Sequence, residues 1–136
     1  ARDVPSQSCV GGGDGVIRGA STDDLKVLAQ SPASLSVEAQ PGFAFIGKFP
    51  AKLDVATQSP DATLPVTQDR IDLVQLSLSG WTVTIKKGTE EVSPTAPAPD
   101  TDCLGLAELY LRPGMTSIRD VDDATNGYII DARTFL

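Results

Sequence analysis

Apolar and polar residues alternate with a period of two through residues 69–89, DRIDLVQLSLSGWTVTIKKGT, on both sides of Ser79-Gly80. Such a dipeptide marks a turn. With a two-residue loop, Leu78 faces Trp81, Leu76 faces Val83 and Val74 faces Ile85. Directly opposed residues share a face, so these pairs make one apolar side. The other side sets Ser77 against Thr82, Gln75 against Thr84 and Leu73 against Lys86. One dry and one mostly polar face is the pattern of an antiparallel hairpin packed on a core by one side only. The register predicts Trp81, Leu78, Val83 and Ile85 as core or interface residues, with Trp81 packed rather than displayed. A helix through 71–78 fits worse, because Ser-Gly would break it and Trp-Thr-Val-Thr-Ile favours strands.

The same reading extends along the chain. Residues 1–15, ARDVPSQSCVGGGDG, form a flexible arm. Residues 25–29 fit a short strand, or residues 23–30 a short helix capped by Ser21 to Asp24; the strand is preferred because Ser31-Pro32 follows at once. Residues 34–38 alternate through Leu35 and Val37. Gln40-Pro41-Gly42 carries a type II turn signature, so residues 43–47 read as the returning strand, with Phe43, Phe45 and Gly47 on one face. Residues 51–56 alternate through Leu53 and Val55, and residues 57–68 form a loop. After Gly88 the alternation stops. Pro94, Pro97 and Pro99 hold residues 90–100 extended and polyproline-like, as a strap over a sheet face or a neighbouring subunit, or as a linker.

Residues 104–111, LGLAELYL, suit a short helix or a strand covered on both faces, ended by Arg112-Pro113-Gly114. A short element at 115–118, a polar turn with Asp120, Asp122 and Asp123, and an Asn126-Gly127 turn precede the last strand at 128–131. Seven to nine short antiparallel strands with frequent turns predict an all-β, β-sandwich or jelly-roll-like fold, as one domain over 16–136.

Composition narrows the chemistry. The chain has 136 residues, enough for a core without a metal or disulfide scaffold. Histidine is absent, which removes the commonest general base and metal ligand. The net charge of −7 argues against a nucleic-acid partner, which needs a basic patch. No apolar run approaches the ~20 residues of a membrane span, and the first residues lack the apolar stretch of a signal peptide. Cys9 and Cys103 are too few for a disulfide framework; free thiols, or one bridge from the arm to the late strand, are the readings open.

Carboxylate pairs at Asp69 and Asp72, Glu90 and Glu91, and Asp120 with Asp122 and Asp123 all fall near turns, where acidic residues cap and solvate. The last group, with Asn126, lacks the spacing of a calcium loop. The glycine run at 11–15 lacks the Lys-Ser/Thr of a phosphate loop. The expectation is no catalytic residue, no cofactor and no metal. Asp131 and Arg133, two apart, share a strand face and pair with each other or with a neighbouring subunit.

Several parts recur in order and spacing. They are the strand, Pro-Gly turn and aromatics of Val37 to Gly47; Asp69-Arg70-Ile71-Asp72-Leu73-Val74-Gln75-Leu76; Ile85-Lys86-Lys87-Gly88-Thr89 leading into Ser93-Pro94-Thr95-Ala96-Pro97-Ala98; Leu106 to Leu111 running to Pro113-Gly114-Met115; and Asp131-Ala132-Arg133. Over residues 35–133 the chain resembles the small β-rich modules of tailed-bacteriophage virions, found in tail-tip, baseplate and tail-fibre proteins. The resemblance implies a structural protein of the virion with no enzymatic activity. Its partners would be other virion proteins, and it would be a homo-oligomer, a trimer above other states. Inter-subunit contacts would involve Pro94, Pro97, Pro99, Asp131 and Arg133. In many relatives a fibre or receptor-binding domain follows the module; here that end is missing, or the chain is a free-standing virion component such as a capsid decoration or adaptor protein. A glycan-binding module for host-surface recognition is the alternative, marked by an exposed aromatic shelf, for which Trp81, Tyr110 and Tyr128 are the large candidates besides the four phenylalanines.

Overall fold

A computed structural model describes residues 14–19 and 23–136. The fold is all-β and sandwich-like. Its strands in chain order are β1 (Gly15–Ile17), β2 (Val27–Ala29), β3 (Val37–Ala39), β4 (Gly42–Ile46), β5 (Phe49–Leu53), β6 (Thr57–Gln58), β7 (Arg70–Ser77), β8 (Val83–Lys86), β9 (Cys103–Leu111), β10 (Ile118–Arg119) and β11 (Gly127–Asp131). Among the described residues these eleven exceed the seven to nine expected, because several are only two or three residues long. They form three sheets, ordered β10-β11-β9-β7-β8, β1-β4-β5 and β2-β3-β6. One cluster of buried apolar side chains draws on all three sheets, from Val16 and Val37 through Ile46 and Leu76 to Leu109 and Ile118.

The hairpin of β7 and β8 has the predicted register. Leu73 pairs with Lys86, Val74 with Ile85, Gln75 with Thr84 and Leu76 with Val83. The turn does not follow the prediction. Gly80 and Trp81 both take left-handed backbone, at φ 70° and 50°, and the Ser77 amide donates to the Thr82 carbonyl at 2.8 Å. Leu78 leaves the ladder and donates its amide to the Asp102 carbonyl instead. Trp81 therefore sits at the tip of the turn and does not oppose Leu78.

Both faces of β7 are covered. One carries Val74 and Leu76 into the core. On the other, Leu73 and Gln75 are also buried, under the proline-rich strap. Gln75 and Asp100 exchange hydrogen bonds, Nε2 to Oδ2 at 2.9 Å and the Asp100 amide to Oε1 at 3.0 Å. Lys86 reaches the Ala98 carbonyl at 2.8 Å and Asp100 at 2.9 Å. Of the readings open for this segment, the structure shows a strap over the chain's own sheet.

Other expectations need correction. Pro41-Gly42 does not turn a hairpin: β3 and β4 belong to different sheets, and Gly42 pairs with Leu53 without a positive φ. Glycine is needed there because a Cβ would lie 2.8 Å from the backbone nitrogen of Leu25. The hairpin partner of β4 is β5, joined through Gly47 and Lys48, both left-handed. The strand placed at 51–56 spans Phe49–Leu53 and leaves Val55 exposed. The arm boundary at 15 is too late, since Gly15 pairs with Phe45 and the Asp14 carboxylate accepts the Gly47 amide; residues 1–13 and Cys9 lie outside the described residues. Pairing is not wholly antiparallel. β10 runs parallel to β11, because the chain doubles back through 120–126 before entering β11.

Of the two readings for 104–111 the strand is found, but not its cover on both faces: Leu104, Leu106, Ala107, Leu109 and Leu111 are buried on one face, and Gly105, Glu108 and Tyr110 are half-buried on the other; Cys103 at its start is a free thiol. A register shift between Gly105 and Ala107 lets Leu106 and Ala107 both be buried.

At the start of β7, Arg70 and Asp72 form a buried ion pair, with side chains 1% and 2% exposed. Arg70 donates Nε to Oδ1 at 2.7 Å and Nη2 to Oδ2 at 3.0 Å. It also donates to the carbonyl of Thr63 and to its hydroxyl. Asp72 Oδ1 accepts the Gly88 amide at 2.9 Å. At Gly88 a Cβ would collide with the Ile71 carbonyl oxygen, so only glycine brings the chain this close.

Arg70→Met leaves a buried carboxylate without its cation, and urea unfolding is expected to show a loss of about 3–5 kcal/mol. The double replacement Arg70→Met with Asp72→Leu should recover most of it. A single variant within about 1 kcal/mol of wild type, the range of an exposed pair, would remove this pair from its organising role.

Candidate functional site

On β4 the period of two turns Ala44 and Ile46 into the core and Phe43 and Phe45 outward. Phe43 pairs with Lys52 on β5 and Ile17 on β1, and Phe45 pairs with Pro50, so all of these share the outer face. Phe43 is 55% exposed, Phe45 38% and Phe49, beside the Gly47-Lys48 turn, 63%. Trp81 is 39% exposed, and Lys52 Nζ lies 5.8 Å from its ring centroid. The β7–β8 tip thus joins Phe43 and Phe45 in one aromatic surface, while Phe49, paired with the inward-facing Ile46, lies on the other side of the hairpin. An open depression of about 610 Å³ adjoins it, walled by Phe43, Pro41, Leu53, Asp24 and Asp54.

The core is aliphatic by contrast. Its fully buried residues are Val, Leu, Ile, Ala and Met; of the phenylalanines and the tryptophan, only Phe135 packs against it. Alanines at 39, 44, 51 and 107 let the layers approach closely. Aromatic side chains carry large apolar areas and are enriched where proteins bind each other. Their placement outside an aliphatic core marks this surface as the candidate site.

Among residues expected at a core or interface, Val83 is buried, and Leu78 and Ile85 are partly buried against the core. Trp81 is the correction. The left-handed turn lifts it off the apolar side that the register assigned to it.

Pro94 and Pro97 are half-buried and Pro99 is exposed. Asp131 and Arg133 pair with each other at 2.8 Å, which holds the carboxyl of Asp131 below the usual carboxylate range. Arg133 also donates to the Asp24 carbonyl at 2.9 Å, so its cation is engaged within the chain.

Tyr110 and Tyr128 do not form an open shelf. Their rings stack at 5.2 Å, half-buried, with Arg112 over both. Tyr110 donates to Asp69 at 2.6 Å, which pushes its phenol up from the ordinary value.

The acidic turn residues serve the backbone. Asp123 accepts the amides of Asn126 and Thr125, which hold it near 2. Asp122 binds Arg112 at 2.9 Å and the Ala124 amide, and Asp120 accepts the Ala29 amide. The carboxylate of Glu90 accepts the amides of Thr67, Gln68 and Val66 at 2.8, 3.1 and 3.2 Å, which lower it from 4.5 to about 2. Among the described residues no group of three or more Cys, Asp or Glu could hold a metal ion, and no helix is long and apolar enough to cross a membrane.

Sequence reasoning placed Phe43 and Phe45 on one face but did not mark that face as the outer one. The signal present was the alternative set, Ala44 and Ile46, whose smaller side chains suit closely packed layers.

No protein-family model, curated protein or solved structure matches the chain.

Two outcomes follow. Because left-handed backbone costs a non-glycine residue roughly 1–2 kcal/mol, Trp81→Gly should raise the thermal midpoint, and a lowered midpoint would show that the indole is needed for folding. Glu90→Gln should destabilise the chain at pH 7. The folded carboxylate has the lowered pKa, so its contribution is full above 4.5 and fades as pH falls to about 2. The gap between wild type and variant in urea midpoints should close over that window; a gap constant with pH would refute the amide cradle.

Proposed function

We propose that the chain is a structural protein of a tailed-bacteriophage virion, in the tail or as a capsid decoration. In this reading it works through protein–protein contacts, catalyses nothing and binds neither nucleic acid nor membrane. Its partners are other virion proteins and its own copies, as a homotrimer. The order of parts along residues 35–133 supports the virion setting. The observation that carries the contact-making role is the segregation of aromatics: Phe43, Phe45, Phe49 and Trp81 lie outside a core that folds without them. Large exposed aromatics of this kind supply the anchors of protein interfaces.

The exposed Trp81 also favours a second reading, in which its ring stacks on a host glycan. The neighbouring Phe43 and Phe45 support the protein contact more, since clustered large apolar rings are anchors of protein interfaces.

Light scattering on the purified chain should give a mass three times 14.2 kDa, and immunogold labelling of purified phage particles should decorate the tail or capsid. A concentration-independent monomer would remove the trimer, and unlabelled particles would remove the virion role. Saturable glycan-array binding lost in Trp81→Ala would replace the structural reading with the glycan one.

A further inference from the structure

The aromatic surface has a ligand of matching chemistry on the chain itself. After a bend at Val92 and Ser93, residues 94–98 continue without turn or bend, and a polyproline-like segment has three residues per turn. Pro94 and Pro97 therefore share one ridge, half-buried against the chain's own sheet. Thr95 and Ala98 share another, with Val92 at its start, and all three are exposed, Val92 at 84%. Aromatic-lined surfaces bind extended segments of this kind well, because little conformational freedom is left to lose on docking.

The charges agree. Residues 41–53 contain Lys48 and Lys52 and no acid, although the chain as a whole is at −7. Of the acids in residues 89–102, Glu90 is held by backbone amides, Asp100 pairs with Lys86 and Asp102 lies beside Gly47, which leaves Glu91. Lys52 is shared with Asp54 at 3.3 Å, while Lys48 and Glu91 are exposed.

The area sets the strength of the contact. At ~150–250 Å² per aromatic side chain, the exposed parts of Phe43, Phe45 and Trp81 offer on the order of 300 Å². That is under half of the ~800 Å² each partner contributes to a stable interface, which places a single contact at the weak end.

We propose that the aromatic surface of one copy receives the Val92–Thr95–Ala98 ridge of a second copy. The inference rests on the contact-making role and names the partner. The strap stays on its own five-stranded sheet, held by Gln75, Lys86 and the amides that cradle Glu90. The aromatics belong to a different sheet and to the hairpin tip. Each copy then offers two unlike surfaces, and the contact is head to tail. Such contacts close into rings or extend as filaments. A closed ring of three meets the trimer expectation.

The test uses the full chain with two exposed-site variants, Phe43→Asp on the surface and Val92→Asp on the strap, with circular dichroism confirming the fold of both. In sedimentation velocity each variant alone should associate at least tenfold more weakly than wild type. An equimolar mixture should form a species of two chains and nothing larger, because the intact strap of one meets the intact surface of the other. Trp81, the only tryptophan, should change its emission on mixing. A face-to-face contact between like surfaces gives no rescue on mixing, and that result overturns the proposal. So does a Val92→Asp chain that associates as wild type, or a wild-type chain monomeric at every concentration. If such a monomer is still found by immunogold on phage particles, the virion role stands and only this mode of contact falls.

Discussion

The fold depends on a charge pair that is costly to bury. Taking Arg70 and Asp72 out of water costs several kcal/mol per ion, and their attraction offsets this only when the remaining donors and acceptors are met. They are met from three directions. Arg70 donates to Asp72 and to Thr63, in the loop before β7, and Asp72 accepts from Gly88, just past β8. The loop, the strand and the strand exit are therefore fixed at one point. Without a side chain, Gly88 can approach the Ile71 carbonyl closely enough to make this bond. The direction in which the chain leaves β8 follows from that contact, and so does the path of the strap.

From that point the strap is guided by polar groups. Glu90 locks into the amides of 66–68, and the Glu91 amide donates to the Asp69 carbonyl. Ten residues later, Asp100 meets Gln75 and Lys86. Between these anchors the prolines keep the backbone extended, so few contacts suffice to hold it. The row of Gln75, Thr84 and Lys86 is what makes one hairpin face look wet in the sequence. It is polar because it binds the strap. A polar residue on a strand signals a hydrogen-bond partner as readily as it signals solvent, and period-two alternation does not separate the two.

That ambiguity explains which features were legible. The β7–β8 register was, because apolar and polar sets were unequal and a slip would mix them. The sides of β4 were not, because both sets are apolar and the larger residues invite the inner face. Layer spacing decided the matter, and it depends on alanines contributed by strands distant in sequence. Pro41-Gly42 carried a turn signature, yet glycine was required there for the approach of Leu25 and not for a positive φ. At the hairpin tip, Ser79-Gly80 announced a turn but not its type. The loop spans residues 78–81 with the register unchanged, and it places Trp81 where glycine or asparagine is usual. The candidate surface was hidden by these last two effects acting together.

Trp81, Phe43, Phe45 and Phe49 share a property that core residues lack. Nothing in the fold requires them where they are. The core closes with aliphatic side chains, and the turn would be less strained with a smaller residue. Tyr110 and Tyr128 differ: their rings stack across β9 and β11, and Arg112 ties them to the acidic turn. Exposure alone does not separate these two groups, since all are partly accessible. What separates them is whether the rest of the chain makes use of the ring. By that criterion the tyrosines belong to the scaffold. Trp81 is kept at a backbone cost to its turn, and contact with another molecule is the role proposed for it and for the aromatics of the β4–β5 hairpin.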